Sequence, residues 1–387
     1  MLFRSRSTMS VTIDGSTGIT APTYGGAVTA EYSVPVTGFK NRLINGGMVI
    51  DQRNAGASVS NIADSQYTLD RWTFQNNIGN KFSVQQNAGS VTPPAGFTNY
   101  LGITSSSAYS VAATDFCTLN QVIEGFNTAD FAWGTSSAQT VTLSFWVRSS
   151  LTGTFGGTIG NANQDRNYPF TYTINSANTW EQKSITISGE TTGSWNTTNG
   201  VGVRIRFGIG AGTTRSGTAG SWTSSLVLSA TGATSVVGTS GATFYITGVQ
   251  LEKGSTATSF DYRPYGTELA LCQRYYYRLK PATDNVSIGN VQAYSATGTI
   301  GKFFDLPVEM RSAPTCNMSS PSDFSGWNAS GANRFAFGNI GAFQPTTRSV
   351  GTIGGLYGAS AGSFTAGYCV ALVTQGTAGW IDASSEL

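Results

Sequence analysis

Strict alternation of apolar and polar residues is the feature of this sequence that most limits its possible folds. An apolar side chain occupies every second position across 141–147 and 201–209, and again across 170–174 and 244–246. A period of two predicts strands with one buried face. Many such strands at short spacing predict an all-β protein built on a jelly-roll β-sandwich. The residues predicted to share one sandwich core are Val141, Phe145, Val147, Val203, Ile205 and Phe207.

Composition agrees with short strands and argues against long helices. Charged residues make up 11% of the chain, against about 25% in ordinary soluble proteins. Long amphipathic helices need charged outer faces, which this inventory cannot supply. The 48 glycines, together with Ser, Thr and Asn, suit the turns between strands. The length of 387 residues predicts two or three domains.

Four regions follow from these patterns. Residues 1–37 carry two short strand signals but too few apolar groups for a core, so they are predicted to be an attachment or oligomerisation segment. Residues 38–265 form the jelly roll. A linking helix is predicted over 266–279, with Thr267 as its cap and Leu269, Cys272 and Tyr276 on one face. Residues 280–387 return to strand signals and are predicted to be a β-rich tip domain.

The chain contains no histidine, which removes the Ser-His-Asp and Cys-His arrangements and the usual zinc sites. Glycoside hydrolysis needs only two carboxylates, but no motif pairs the available ones. We therefore expect no enzymatic activity, no metal and no cofactor. The carboxylates considered are Glu124, Asp130, Glu181 and Glu190.

Other local patterns favour structural roles. The alternating Asn161, Asn163, Asp165 and Asn167 suggest a polar turn more than a calcium loop, and the glycine-rich 208–212 suggests a flexible turn more than a nucleotide site. An Asp70–Arg71 pair beside Trp72 is predicted to be a structural clamp. The cysteines are predicted to be buried free thiols: Cys117, Cys272, Cys316 and Cys369.

The charge and hydropathy of the sequence limit the partners and the location that we expect for the protein. The net charge is 22 − 20 = +2, without a basic stripe, so no nucleic-acid partner is expected. No apolar run resembles a signal peptide or a membrane span. We expect synthesis in the cytoplasm, no membrane insertion and, for a protein that acts outside the cell, release by lysis. The sequence leaves open whether Met9 is an alternative start.

Several strings resemble bacteriophage tail-fibre or receptor-binding virion proteins with a carbohydrate-binding-module-like jelly roll. An attachment segment is suggested by SVTIDGSTGIT at 10–20. The strings NRLINGGM (41–48) and YTLDRW (67–72) resemble the start of the jelly roll in that family. The strings VQLEKG (249–254) and FDYRP (260–264) resemble its end. The string ELALCQRYY (268–276) resembles the helix that follows the jelly roll in that family, and PVEMRSAP (307–314) resembles an early strand of its C-terminal domain.

The resemblance implies a homotrimer carried on the virion, joined to tail or adaptor proteins through its N-terminal segment. It implies a host-recognition role in adsorption, with a host surface glycan or protein as the receptor. Two alternatives remain: a structural appendage without receptor binding, such as a capsid decoration or baseplate protein, and a glycan-degrading tailspike. A tailspike would require a close carboxylate pair in a groove.

Receptor contacts are expected in the loop-rich stretch 319–365 of the tip domain. Its aromatic residues lie among Gly, Ser and Asn, a composition typical of adaptable binding surfaces. The weak charge of the stretch favours a neutral glycan or a protein surface. The alternative is that these aromatic side chains fill the core of the tip domain. The candidate residues are Phe324, Trp327, Phe335, Phe337, Phe343 and Tyr357.

Overall fold

The structure is a computed structural model, and all statements below refer to the residues that it describes. These residues are 12–14, 18–20, 39–281, 283, 286–293, 298–300, 303–327, 334–336, 339–340, 343–345, 347–353, 356–357, 369–374 and 379–387. Side chains in some C-terminal strands lie outside the described set. The chain divides into two compact units, Met1–Phe39 and Lys40–Leu387.

The first unit contains one antiparallel strand pair. Strands β1 (Thr12–Asp14) and β2 (Gly18–Thr20) pair so that Ile13 lies opposite Ile19. Both strands lie where the sequence predicted short strands in the leader.

The second unit is built around two six-stranded antiparallel sheets, which we call sheet A and sheet B. Sheet A contains, in spatial order, β11 (Asn167–Ile174), β10 (Gly153–Gly160), β13 (Val201–Ala211), β8 (Phe116–Glu124), β5 (Trp72–Asn76) and β4 (Gln66–Leu69). Sheet B contains, in spatial order, β12 (Glu181–Ile187), β9 (Val141–Ser149), β16 (Thr243–Lys253), β7 (Leu101–Ser105), β6 (Phe82–Gln86) and β3 (Val59–Ser60). Successive strands alternate between the sheets in several places, as in a jelly roll. The predicted all-β sandwich is confirmed.

The inner faces of the two sheets form one apolar core. The six residues predicted to share it all belong to this core, and each is at most 1% exposed. Phe145 on sheet B meets Phe207 on sheet A edge to face, with ring centroids 5.0 Å apart. The alternation in the sequence therefore predicted both the strands and their register.

Short elements connect or cover the sheets. A two-strand parallel pair, β14 (Ser216–Gly217) and β15 (Ser229–Ala230), lies between sheet strands in the sequence. Single 3₁₀ turns occupy Ala88–Ser90, Gly125–Asn127, Ala129–Phe131, Thr213–Arg215 and Pro321–Asp323.

The C-terminal region forms smaller sheets. The described strands are β17 (Tyr276–Leu279), β18 (Ser287–Ala293), β19 (Gly298–Ile300), β20 (Phe303–Asp305), β21 (Thr315–Met318), β22 (Phe324–Trp327), β23 (Arg334–Ala336), β24 (Asn339–Ile340), β25 (Phe343–Pro345), β26 (Val350–Ile353), β27 (Leu356–Tyr357), β28 (Cys369–Thr374) and β29 (Ile381–Ser384). They pair in the orders β17-β29-β21, β23-β22-β28-β18-β19-β27-β24 and β20-β26-β25. The short strands β22 to β27 lie within 319–365.

The predicted helix is shorter than expected. Helix α1 runs over Tyr265–Gln273, and Pro264, not Thr267, precedes its first turn without a side-chain cap. Tyr276, predicted to share a helix face with Cys272, instead begins β17, which pairs with β29. The register with β29 explains the early end, because the ladder satisfies backbone groups that a longer helix would have used. No described helix is long and apolar enough to span a membrane.

The prediction for the glycine-rich segment 208–212 was also wrong. The sequence suggested a turn, but β13 continues through Gly208 and Gly210 to Ala211. A Cβ atom on Gly208 would lie 2.4 Å from Ser229 Oγ. The glycine is needed because β15 lies directly against the outer face of sheet A at this point.

Candidate functional site

The motifs at the start and end of the jelly roll meet at one place in the fold. Trp72 Nε1 donates to the carbonyl of Asn45 at 3.0 Å, and the backbone N–H of Asn45 donates to the carboxylate of Glu268. Arg263 donates to the carbonyls of Asn41 and Leu43. Asn45 has a φ of 57°, in the left-handed region in which asparagine is enriched. These motifs therefore form a structural joint.

The predicted Asp70–Arg71 clamp does not form as expected. Arg71 adopts a φ of 69°, and its guanidinium pairs with Glu386, 315 residues away in the sequence. Asp70 instead accepts a 2.7 Å hydrogen bond from Gln52 and lies 3.7 Å from Arg53 Nε. The left-handed turn directs neighbouring side chains apart, so adjacency in sequence was misleading here.

Further ion pairs attach the C-terminal region to the jelly roll. Arg274 Nη2 lies 2.7 Å from Glu124, which also accepts a hydrogen bond from Tyr275. Arg53 bridges to Glu386 at 2.9 Å and lies 3.5 Å from the ring centroid of Tyr276. The jelly roll and the C-terminal strands thus share a charged, largely buried contact.

A pocket of about 210 Å³ opens beside the structural joint, and we call it the aromatic pocket. Phe97, Phe260 and Tyr262 contact one another there, with ring centroids 4.9 to 5.6 Å apart. Tyr262 is 58% exposed. The volume is below the roughly 300–1,000 Å³ of drug-sized ligand sites, so the pocket suits a single ring-sized group. The remaining lining residues are Asn41, Gly46, Gly47, Val49, Gly96, Thr98, Asp261, Arg263 and Glu268.

Two lining glycines allow close approaches in the wall of the aromatic pocket. A Cβ on Gly96 would lie 2.5 Å from the Tyr262 hydroxyl oxygen, and one on Gly46 would lie 2.1 Å from the carbonyl oxygen of Val249. The charged groups in its wall are held by each other, since Arg263 Nη1 lies 3.3 Å from Glu268. The pocket therefore combines an exposed ring with fixed polar groups, which is the usual composition of a small-ligand site.

The outer face of sheet A carries a second unusual arrangement, a polar row that runs across four strands. Thr73, Asn120, Arg206 and Thr158 are successive cross-strand partners. They point away from the core, yet each is at most 4% exposed. We call this set, with Thr118, Asn167 and Arg204, the polar face.

Polar atoms on this face lack hydrogen-bond partners. Buried polar atoms in proteins are nearly always hydrogen-bonded, so each exception requires an explanation such as water, an ion or a ligand. The unpartnered buried atoms of the polar face are Thr73 Oγ1, Thr118 Oγ1, Asn120 Oδ1, Thr158 Oγ1, Asn167 Oδ1, Arg204 Nε, and Arg206 Nε and Nη1. They include donors and acceptors, which a ligand rich in hydroxyl groups can satisfy.

The predicted receptor-contact residues are only partly described. Phe324 is 1% exposed and packs with Met310, Leu372 and Ile381, so this candidate belongs to the core of the C-terminal region. For Trp327, Phe335, Phe343 and Tyr357 the backbone lies in short strands, but their side chains lie outside the described residues. Phe337 lies entirely outside them. The prediction for these five residues stays a prediction.

The other residues considered from the sequence are in structural contacts. Asp130 pairs with Arg42, Glu181 pairs with Lys183, and Glu190 accepts hydrogen bonds from Thr192. The hairpin loop after β10 is a polar turn, since Asn161 Nδ2 donates to Asp165 Oδ1 at 2.7 Å. No metal-ligating cluster occurs among the residues that the structure describes.

The described cysteines are free thiols. Cys117 and Cys272 are buried, as predicted, and Cys316 is half-buried. Burial raises the pKa of Cys316 to about 11. The side chain of Cys369 lies outside the described residues.

Three tryptophans contact one another at the edge of the sandwich. The centroids of Trp133 and Trp195 are 4.7 Å apart, and Trp222 lies 5.3 and 5.7 Å from them. Each indole N–H donates to a backbone carbonyl of a loop. Their role is therefore to hold loops together.

Comparisons with known proteins reveal distant similarities of structure. No family model matches the chain, and no curated protein matches its sequence. The chain is similar to the enzymatically active domain of bacteriophage CBA120 tailspike protein 4, at 13% identity and a TM-score of 0.30, over 56% of this chain and 22% of that one. It therefore spans about a fifth of that tailspike domain's length.

Two carbohydrate-binding modules are also similar. TmCBM61 in complex with β-1,4-galactotriose matches at 10% identity and a TM-score of 0.29, over 55% of this chain and 99% of the module. A family 11 module from Clostridium thermocellum, in complex with a mixed-linked tetrasaccharide, matches at 10% identity and a TM-score of 0.27, over 52% and 98%.

Sequence reasoning missed both candidate sites. Phe97 and Phe260 are far apart in the sequence, and the string at 260–264 was interpreted only as a closing strand. The polar face had one visible signal: Arg204 and Arg206 alternate with the apolar residues of β13 and must share its outer face. The burial of that face comes from distant segments.

Proposed function

We propose that this chain is a non-catalytic host-recognition protein of a bacteriophage particle, a tail fibre or a similar appendage, and that its jelly roll binds a saccharide of the host surface. The observation that carries the binding proposal is the aromatic pocket. The exposed Tyr262 ring offers an apolar surface, and the fixed polar groups around it can orient hydroxyl groups.

The particle role draws on the sequence strings that resemble tail-fibre proteins and on the joint that those strings form. An extended appendage must hold its domains in a fixed relation. The ion pairs of Glu124 and Glu386 attach the C-terminal strands firmly to the jelly roll. In this proposal the segment 1–37 joins three copies and connects them to tail or adaptor proteins. A mass measurement on the purified full chain is expected to give a trimer, and a stable monomer would contradict this assembly.

The binding proposal is tested with paired tyrosine variants of the full chain. Tyr262→Ala removes the exposed ring of the aromatic pocket, whereas Tyr265→Ala removes a ring that is 65% exposed three residues away and does not line it. Affinity for purified host surface polysaccharide is measured by calorimetry. We expect Tyr262→Ala to weaken binding about tenfold and Tyr265→Ala to leave it unchanged.

The alternatives give different results. Equal binding by wild type and Tyr262→Ala would contradict the pocket as the saccharide site. No binding by any form would favour a structural appendage without receptor contact. Release of oligosaccharides from the polysaccharide, abolished by substitution of one Asp or Glu, would favour a glycan-degrading tailspike.

A further inference from the structure

Two neighbouring arginines on the polar face have no carboxylate partner in the described part of the chain. Arg204 and Arg206 lie two residues apart on β13, roughly 7 Å along one face of the strand. Among the described residues neither forms an ion pair, and the hydrogen bond of Arg206 is a 2.7 Å contact from Nη2 to Gln164 Oε1. Arg206 is 1% exposed, and its Nε and Nη1 have no partner.

Other deeply buried arginines of the same unit are paired. Arg71 is also 1% exposed and contacts Glu386, and Arg263 contacts Glu268. A buried charge is costly unless it is paired and hydrogen-bonded. Arg206 is the exception among these deeply buried arginines, and the half-buried Arg204, which also forms no ion pair among the described residues, lies beside it on β13. Two positive charges without a carboxylate partner in the described part of the chain are therefore close together.

The electrostatic state of Arg206 agrees with this geometry. Burial, the larger cause, and the nearby charge of Arg204 together lower the pKa of Arg206 to about 9. Burial also lowers the pKa of Arg204. No carboxylate among the described residues offsets either effect, so an external anion would stabilise both charged forms.

The surroundings of the pair suit a group that carries hydroxyls as well as charge. Thr158 and Asn120 flank Arg206 on the adjacent strands, each with an unpartnered oxygen. Arg204 is half-buried, and the loop residue Gln164 accepts a hydrogen bond from Nη2 of the deeper Arg206. Movement of the Gln164 amide would free this Nη2 group beside the unpartnered Nε and Nη1.

We propose that Arg204 and Arg206 bind an oxyanion, the carboxylate or phosphate group of an acidic saccharide, whose hydroxyl groups hydrogen-bond with Thr158 and Asn120. Guanidinium groups fit such oxyanions with paired hydrogen bonds. This site is distinct from the aromatic pocket and rests on a different observation. It adds to the proposed saccharide binding but does not depend on Tyr262.

The test uses the full chain and saccharides matched except for charge. Oligogalacturonate and its methyl ester distinguish a carboxylate from its neutral form, and phosphorylated and dephosphorylated oligomannose do the same for phosphate. We expect the charged member of at least one pair to bind about tenfold or more tightly than its neutral partner. We also expect Arg204→Gln and Arg206→Gln each to reduce that preference about ten- to hundredfold, the range of charge-assisted hydrogen bonds.

The matched control is Arg148→Gln, which removes a half-buried arginine from sheet B that also lacks a carboxylate partner among the described residues. It should leave the preference unchanged. Thermal unfolding gives a second measurement, since the charged ligand should raise the Tm of wild type but not of Arg204→Gln. Equal affinity for both members of both pairs, or an equal loss in Arg148→Gln, would overturn the proposal. Tyr262→Ala tests the aromatic pocket separately, so failure of one site is distinguishable from failure of the other.

Discussion

Arg71, in the turn between β4 and β5, and Arg206, on β13, are equally buried, but the groups that surround them are opposite in kind. Arg71 pairs with Glu386, donates to the carbonyl of Val122 and lies 3.6 Å from the ring centroid of Tyr275. Arg206 has one amide contact, to Gln164. Burial lowers the pKa of an arginine, but at Arg71 the effects of Glu386, Tyr275, Tyr67 and Cys272 together more than offset it. At Arg206 no group among the described residues offsets it, and Arg204 adds to the lowering.

The difference separates structural arginines from an arginine that is available for binding. Arg71 belongs to the contact between the jelly roll and the C-terminal strands, where its only unpartnered atom is Nε. Its loss should damage the fold. The neighbours of Arg206 leave its charge uncompensated, so its removal should spare the fold and affect only a ligand. Stability measurements can therefore test the comparison without knowledge of the receptor.

The largest effect is expected for Arg71→Met. The change leaves the buried Glu386 with Arg53 as its remaining ion-pair partner among the described residues. Breaking a buried ion pair by removing one member costs roughly 3–5 kcal/mol. We expect the free energy of unfolding to fall by about 4 kcal/mol, measured by urea denaturation.

The double variant Arg71→Met/Glu386→Gln is the control for that prediction. It removes both charges and should recover part of the lost stability, since the two residues interact directly. A loss below about 1 kcal/mol in Arg71→Met would mean that the pairing contributes little. The contrast with Arg206 would then disappear.

A smaller, pH-dependent effect is expected at Asp70, which belongs to the same contact region. Its Oδ1 is buried without a hydrogen bond, and burial raises the pKa of its carboxyl group to about 7. The native state therefore binds more protons than the unfolded state between about pH 4 and 7, and stability must fall as the pH rises through this window. We expect a contribution of roughly 2 kcal/mol between about pH 5 and 7.

Asp70→Asn gives the reference for the pH prediction. The variant cannot ionise at this position. Its free energy of unfolding should therefore fall less than that of wild type between about pH 5 and 7, when both proteins are measured by urea denaturation at each pH. Parallel pH curves for the two proteins would show that Asp70 is ionised throughout, held by Arg53. The charged groups around Glu386 would then all be paired, as Arg71 is.

The sequence predicted much of the fold because strands depend on a local pattern. Phe207 alternates with polar residues along β13, and that period alone placed it in the core. The predicted helix was too long because Tyr276 fits a helical face as well as a strand. Its pairing with β29 depends on residues more than 100 positions away, which no local pattern contains.

The candidate sites were less predictable because long-range contacts create them. The adjacency of Asp70 and Arg71 suggested a pair, but a left-handed turn separates them and Glu386 takes the arginine. The expectation of a neutral ligand came from the low charge of 319–365. Net composition conceals a local imbalance such as that of Arg204 and Arg206, because the burial of a strand's outer face cannot be read from its own residues.

The smallest effect, and the sharpest test of the comparison, is expected for Arg206→Met. At position 71 a change to methionine is expected to destabilise the fold. At position 206 the same change removes a buried guanidinium that has no carboxylate partner among the described residues, and the methionine side chain can fill most of the vacated volume. Replacing buried charge by apolar groups is often neutral or stabilising. We expect the free energy of unfolding to stay unchanged or to rise by about 1 kcal/mol, measured by urea denaturation beside Arg71→Met. A loss of about 2 kcal/mol or more would mean that Arg206 is held by the fold as Arg71 is, and that its single bond to Gln164 understates its structural role. Unchanged stability together with lost preference for charged saccharides would instead separate the two arginines by function.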